Sequence, residues 1–161
     1  FLYNVPGRTV VNITSETVAK LSELERIIGI KDATGNLERP WIERNLIKKP
    51  FIWLSGEDST AVSFNVAGGQ GVISVTANVA PALVAKVQNL TLDKKWEEAA
   101  NEQLIIVYFA KLMFKEPSPA PAKYAASLLG LCSEESRLPI LPVSQSLREE
   151  IKAEMQKLEL I

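Results

Sequence analysis

Four short apolar runs punctuate the first half of the chain: Phe1 to Val5, Ile27 to Lys31, Phe51 to Ser55 and Gly71 to Val75. Each is rich in Ile, Val, Phe or Trp and none alternates with polar residues. That is the pattern of strands buried on both faces, as in a parallel sheet covered by helices. The segments between them carry a helical period. Thr14 is a good N-cap, with Glu16 in the first turn and apolar Val18, Leu21 and Leu24 at spacings of three. Asn36 is placed to cap a second helix, whose early Pro40 is tolerated because first-turn amides lack an intrahelical partner. Asp58 opens a third, short helix that stops at Gly68-Gly69. Pro81 sits at a first helical position, and Ala80, Leu83, Val84 and Val87 form the apolar stripe of a fourth.

The pattern changes near Asp93. Lys94 to Phe114 reads as one long helix, polar at its start and apolar nearly all round at its end, so its C-terminal half is expected to be buried. Pro117, Pro119 and Pro121 follow, then a helix ending at Leu129 with Gly130 as its stop. A last helix over Ser144 to Leu158 has a stripe of Leu147, Ile151, Met155 and Leu158. The expected organisation is α/β: four βα units over residues 1–92, then a three-helix appendage over residues 93–161. Four parallel strands can lie open as a doubly wound sheet or form half of a (β/α)8 barrel. In both, ligands bind at the C-terminal strand edge. Polar residues collect there: Tyr3 and Asn4, Lys31 and Asp32, Ser55 with Gly56 and Glu57, Ser74 and Thr76. A start inside a strand reads as the second half of a longer chain, since a complete barrel takes about 250 residues.

Composition narrows the chemistry. The 161 residues hold 18 Lys and Arg against 19 Asp and Glu, a net charge of −1, so no electrostatic footprint for nucleic acid or anionic lipid is expected. With no histidine, Ser-His-Asp and Cys-His catalysis, His-ligated zinc and His pH switching all drop out. The single cysteine, Cys132, fits a reducing, cytoplasmic setting. No basic leader region precedes Phe1, and no apolar run reaches the roughly 18 residues of a membrane helix. Two N-x-T triplets, at Asn12 and Asn89, read as chance without a secretory context.

Lys31 is the sharpest chemical candidate. It ends the run Ile27-Ile28-Gly29-Ile30, and an ammonium among apolar strand ends is expected to be desolvated, which favours a neutral, nucleophilic amine. On position alone the simpler reading, a strand-end lysine that snorkels its head into water, is the commoner one. Tyr3 would point a phenol into the same mouth and could shuttle a proton, or it is a core tyrosine with a satisfied hydroxyl. Arg8, in Pro6-Gly7-Arg8-Thr9, suits bidentate capture of a carboxylate, against the plain reading of a solubilising arginine. Ala67-Gly68-Gly69-Gln70-Gly71 precedes a strand instead of following one, so it is no dinucleotide fingerprint. Glu57-Asp58 reads as helix capping, Lys94 and Lys95 as a solvated face, and the aromatics from Trp96 to Phe114 as core. No cluster has metal-ligand spacing.

Several long motifs carry a resemblance. Tyr3-Asn4-Val5-Pro6-Gly7-Arg8-Thr9, Gly29-Ile30-Lys31-Asp32-Ala33-Thr34-Gly35-Asn36, Leu54-Ser55-Gly56-Glu57-Asp58, Gly71-Val72-Ile73-Ser74-Val75-Thr76-Ala77-Asn78 and Glu116-Pro117-Ser118-Pro119-Ala120-Pro121-Ala122-Lys123 occur in that order. Together they resemble the dihydrodipicolinate synthase (4-hydroxy-tetrahydrodipicolinate synthase) family, over its C-terminal half-barrel and helical domain. The resemblance implies a class I aldolase-type lyase of lysine biosynthesis. Lys31 would form the Schiff base with pyruvate, whose enamine attacks aspartate semialdehyde, with no metal or organic cofactor. It implies that Tyr3 relays protons, that Arg8 binds the semialdehyde carboxylate, that Gly56 and Ile73 lie beside the lysine and pyruvate, and that Thr34 and Ser55 line the site. It also implies a homo-oligomer, usually a tetramer, and a need for the N-terminal half-barrel.

Part of the family's pattern falls outside these residues: a threonine pair for the pyruvate carboxylate, a second tyrosine donated across a dimer interface, and the allosteric lysine site. Val10 stands where a glycine often follows the Arg-Thr pair, and Ser118 where an asparagine is common. Two other functions compete. One is another pyruvate-type lyase resembling N-acetylneuraminate lyase, whose members generally lack the Gly-Arg-Thr and Ala-Thr-Gly-Asn wording. The other is a non-catalytic half-barrel that serves assembly, since unpaired strand edges invite a partner.

Overall fold

Three of the four apolar runs pair as a parallel sheet in the order β1 (Leu2–Asn4), β2 (Gly29–Asp32) and β3 (Ile52–Ser55). The structure, a computed structural model, describes residues 1–161. The fourth run, Gly71 to Val75, makes one parallel bridge, Ser55 to Val72, and is not a strand. Ser55 donates its amide to the Gly71 carbonyl and accepts from the Ile73 amide, so the segment follows β3 for a single step. At Gly71, φ is +155°, a conformation glycine reaches and most residues do not.

The expectation of strands buried on both faces is also corrected. The row Leu2, Ile30, Trp53 faces the helices, with Ile30 fully buried, whereas Tyr3, Lys31 and Leu54 lie open or half-open on the other face. The cause is local: the helices here cover one face. After α1 (Pro6–Thr9), a single turn that buries no residue, they are α2 (Ser15–Ser22), α3 (Arg39–Leu46) and α4 (Ala61–Val66), the last preceded by a 3-10 turn at Asp58–Thr60. Val18 of α2, Ile30, Ile47, Phe51, Trp53 and Phe64 of α4 form the core, with Phe51 edge-on to Trp53 at 5.0 Å between ring centres.

Local signals place most of the ends. Thr14 caps α2, its hydroxyl accepting from the Thr17 amide at 3.2 Å. Asn36 acts differently from expectation: its side chain accepts from the Glu38 amide at 2.9 Å, building a turn ahead of α3, which starts only at Arg39. The short side chain bonds two residues on more readily than it reaches a helical N3 amide. Gly68, at φ +105°, stops α4 as expected.

Residues 1–74 with 90–96 make one compact unit, and residues 75–89 with 97–161 make another. The second is helical. It draws on α5 (Pro81–Leu92), α6 (Trp96–Leu112), α7 (Ala120–Leu128) and α8 (Gln145–Lys157). Its core gathers Phe109, Met113, Tyr124, Ala125, Leu147, Ile151 and Met155. Ser144 caps α8 and Gly130, at φ +70°, ends α7. The C-terminal half of α6 does not bury all round: Ile106, Phe109 and Leu112 are buried, but Leu104 is 70% exposed, and Ile105 and Tyr108 are also exposed. Trp96 and Phe114 are exposed as well, so the aromatics of this stretch are only in part core. One helix can turn a single stripe onto one core, and here nothing covers its other side.

Candidate active site

Parallel pairing puts Tyr3 opposite Lys31, so both side chains leave the sheet on the same face at its C-terminal edge. The Lys31 Nζ lies 4.0 Å from the centre of the Tyr3 ring, within cation–π range. Tyr3 is 47% exposed, which removes the reading of a core tyrosine. Lys31 is half-buried instead of enclosed among apolar strand ends. Neither of two surface concavities, of about 710 and 320 Å3, is lined by Lys31, Tyr3 or Arg8.

Arg8 stands on α1, one turn of helix that leaves β1 with Pro6 at its start, not on an irregular loop. Its side chain is exposed. Val10 ends that turn at φ +63°, the left-handed region where a β-branched residue is strained and glycine is at ease. Gly56 is demanded by close approach. Its amide bonds the Asp32 carbonyl at 2.6 Å, and a Cβ there would lie 2.7 Å from that of Ala33. Ile73 is exposed, its amide bonded to Ser55. Thr34 and Ser55 are engaged already. Thr34 donates both amide and hydroxyl to Asp32 Oδ1, at 2.8 and 2.6 Å, and Ser55 exchanges bonds with the Glu57 backbone.

Asn4, Asp32, Arg39 and Glu43 carried no individual sequence signal. Asn4 is buried and clasps Asn12 and Ile13, fixing the chain after α1. Asp32, Arg39 and Glu43 form a buried ion cluster behind Lys31. Burial pushes the Glu43 carboxyl up, opposed by the Arg39 charge and the Trp53 indole N–H. Glu57 makes no capping bond to the 3-10 turn that follows it. Its half-buried carboxyl is pushed up, first by burial and then by Asp58, while Lys31 pulls it down. No group of three His, Cys, Asp or Glu side chains is placed to hold a metal ion. No helix is long and apolar enough to cross a membrane.

The model of the dihydrodipicolinate synthetase family matches residues 1–158. The chain belongs to this family. It is 48% identical over 155 residues to the 4-hydroxy-tetrahydrodipicolinate synthase of Parvibaculum lavamentivorans, covering 96% of this chain and 53% of that protein. The synthase of Rhodospirillum centenum is 46% identical over 156 residues, covering 97% and 54%. The crystal structure of dihydrodipicolinate synthase from Aquifex aeolicus superposes with a TM-score of 0.94 at 33% identity, covering 98% of this chain and 54% of that one. The chloride-inhibited synthase of Acinetobacter baumannii, solved in complex with pyruvate, gives 0.94 at 34% identity, covering 99% and 55%. The chain therefore spans about half the length of the relatives it matches. Its α/β architecture is that of a partial (β/α)8 barrel followed by C-terminal helices, and the family is one of lyase-type enzymes.

Proposed function

We propose that the intact protein carrying this chain condenses pyruvate with L-aspartate 4-semialdehyde to give 4-hydroxy-tetrahydrodipicolinate, in the lysine (diaminopimelate) branch of amino-acid biosynthesis. The observation that carries the reading is the pairing of Lys31 with Tyr3 across β1 and β2, with the amine 4.0 Å from the ring. The names of the relatives support the reaction class, and the pyruvate complex of the Acinetobacter enzyme supports the first substrate.

In this reading the neutral Lys31 amine attacks the keto carbon of pyruvate. The Tyr3 phenol gives a proton to the departing hydroxyl, so that water leaves and an iminium remains. Loss of a methyl proton gives the enamine, whose carbon bonds to the semialdehyde aldehyde carbon. The semialdehyde amine then adds to the iminium carbon and expels Lys31, closing the ring with one water released overall. Arg8 holds the semialdehyde carboxylate, and the Gly56 and Ile73 backbones flank the lysine. Thr34 and Ser55 shape the loops that line the site. No metal or organic cofactor takes part. The working form is a cytoplasmic homo-oligomer, with a tetramer expected. The exposed Trp41 and Ile42 on α3 and Val66 on α4 support association, since large apolar side chains left open to water favour contact with a partner.

Replacing Arg8 by Ala in the intact protein tests the substrate. The reading expects kcat/KM for the semialdehyde to fall by about 100-fold or more, the scale of a lost bidentate carboxylate contact, while reaction with pyruvate alone persists. A variant that keeps full kcat/KM, together with cleavage of a sugar acid, would mark the lyase alternative.

A further inference from the structure

Behind Lys31, on the helix-covered face of the sheet, three charged side chains are withdrawn from water: Asp32, Arg39 and Glu43. Arg39 spans the two carboxylates, Nε to Asp32 Oδ2 at 2.7 Å and Nη2 to Glu43 Oε1 at 2.8 Å. The other carboxylate oxygens are engaged as well. Asp32 Oδ1 takes both donors of Thr34, Glu43 Oε2 takes the Trp53 indole N–H at 3.0 Å, and Glu43 Oε1 also takes the Ser15 hydroxyl at 3.3 Å. One guanidinium thus ties β2 to α3, with β3 and the start of α2 attached through Glu43.

Stability does not require such a cluster, because packed hydrocarbon of similar volume serves as well or better. Direction is what hydrocarbon cannot supply. Charge-assisted bonds are short and directional, and Arg39 makes one such bond to Asp32 through its Nε. Asp32 is the residue next to Lys31, and alternation along the strand sends the two side chains to opposite faces, so holding one orients the other. The second Asp32 oxygen sets the turn that carries Thr34 along the same edge.

We propose that Arg39 is a positioning residue for Lys31, gripping Asp32 from behind so that the amine meets the keto carbon in register. The proposal rests on the Schiff-base reading above. It is tested in the intact protein by the rate at which saturating pyruvate gives a borohydride-stable adduct, per folded molecule, at a temperature where near-UV dichroism shows each variant native. Arg39→Lys keeps a charge but loses the fork, and is expected to slow the adduct by about 10-fold or more, with half-saturating pyruvate within about twofold. Glu43→Gln, or Ser15→Ala where that variant does not fold, disturbs the cluster but leaves the Arg39–Asp32 pair, and is expected to stay within about twofold of the unmodified rate. If Arg39→Lys does not fold, Asp32→Asn replaces it with the same expected slowing. An unslowed positional variant, or equal slowing in the control, overturns the proposal alone. An unmodified protein that forms no adduct overturns the Schiff-base reading, and the proposal with it.

Discussion

Two adjacent rows of the same three strands are built on opposite terms. Tyr3, Lys31 and Leu54 lie side by side on the open face, exposed or half-exposed, with the Lys31 amine over the Tyr3 ring. One residue further on, Asn4, Asp32 and Ser55 lie side by side on the covered face, each under 5% exposed and each hydrogen-bonded. On the Schiff-base reading proposed for Lys31, the amine needs room for a substrate, and the open row supplies it. Accuracy then has to come from the next row, where buried polar groups permit few alternative arrangements. The lesson is that neighbouring residues of one strand stand in opposite environments, and the proposal divides chemistry and precision between them.

Substitutions in the two rows should therefore fail in different ways. In the open row, Tyr3→Phe is expected to cut kcat of the intact protein by about 100-fold or more, the usual worth of a placed proton relay, while its urea midpoint hardly moves. In the closed row, Asp32→Ala strands Arg39 beside one carboxylate and should cost about 3–5 kcal/mol of unfolding free energy by urea titration. Equal stability losses at the two positions would break the contrast. Gly56→Ala should cost about 1–3 kcal/mol, because the new methyl meets Ala33 where two strand ends converge. Val10→Gly should raise stability by about 1 kcal/mol by relieving a left-handed valine. A loss there would show that the α1 turn does not keep this geometry.

The smallest effect expected is a pH slope. Burial raises the Glu57 carboxyl above its ordinary value of 4.5, so the folded chain holds that proton more tightly than the unfolded one. Its contribution is present in full below pH 4.5 and is lost as pH rises through the folded value. Thermal melts of the native protein should thus lose stability relative to Glu57→Gln as pH climbs above 4.5. A gain over the same range would contradict the environment described for Glu57.

What the residues announced in advance depended on how local the cause was. Thr14, Pro81, Gly130 and Ser144 place helix ends through contacts within a few residues, and each is legible as written. The Tyr3–Lys31 edge was legible too, because strand ends and parallel pairing follow from the alternation of apolar runs and helices. Arg39 and Glu43 were not. On a short helix, an arginine and a glutamate four apart read as a solvated pair, and only the strands behind them turn that pair into a buried brace. Leu104, Ile105 and Tyr108 failed in the opposite sense: apolar composition says that a surface would be better covered, not that this chain covers it. Gly71 to Val75 had strand composition, but its pairing with β3 extends over one bridge only.

The central claim is that the Lys31 amine captures a keto acid covalently. It is met most directly by treating the intact protein with pyruvate and borohydride, digesting it, and locating the added mass. The account predicts a single modified residue, Lys31, and no modification in Lys31→Ala. A label on another lysine, or undiminished labelling without Lys31, would contradict it.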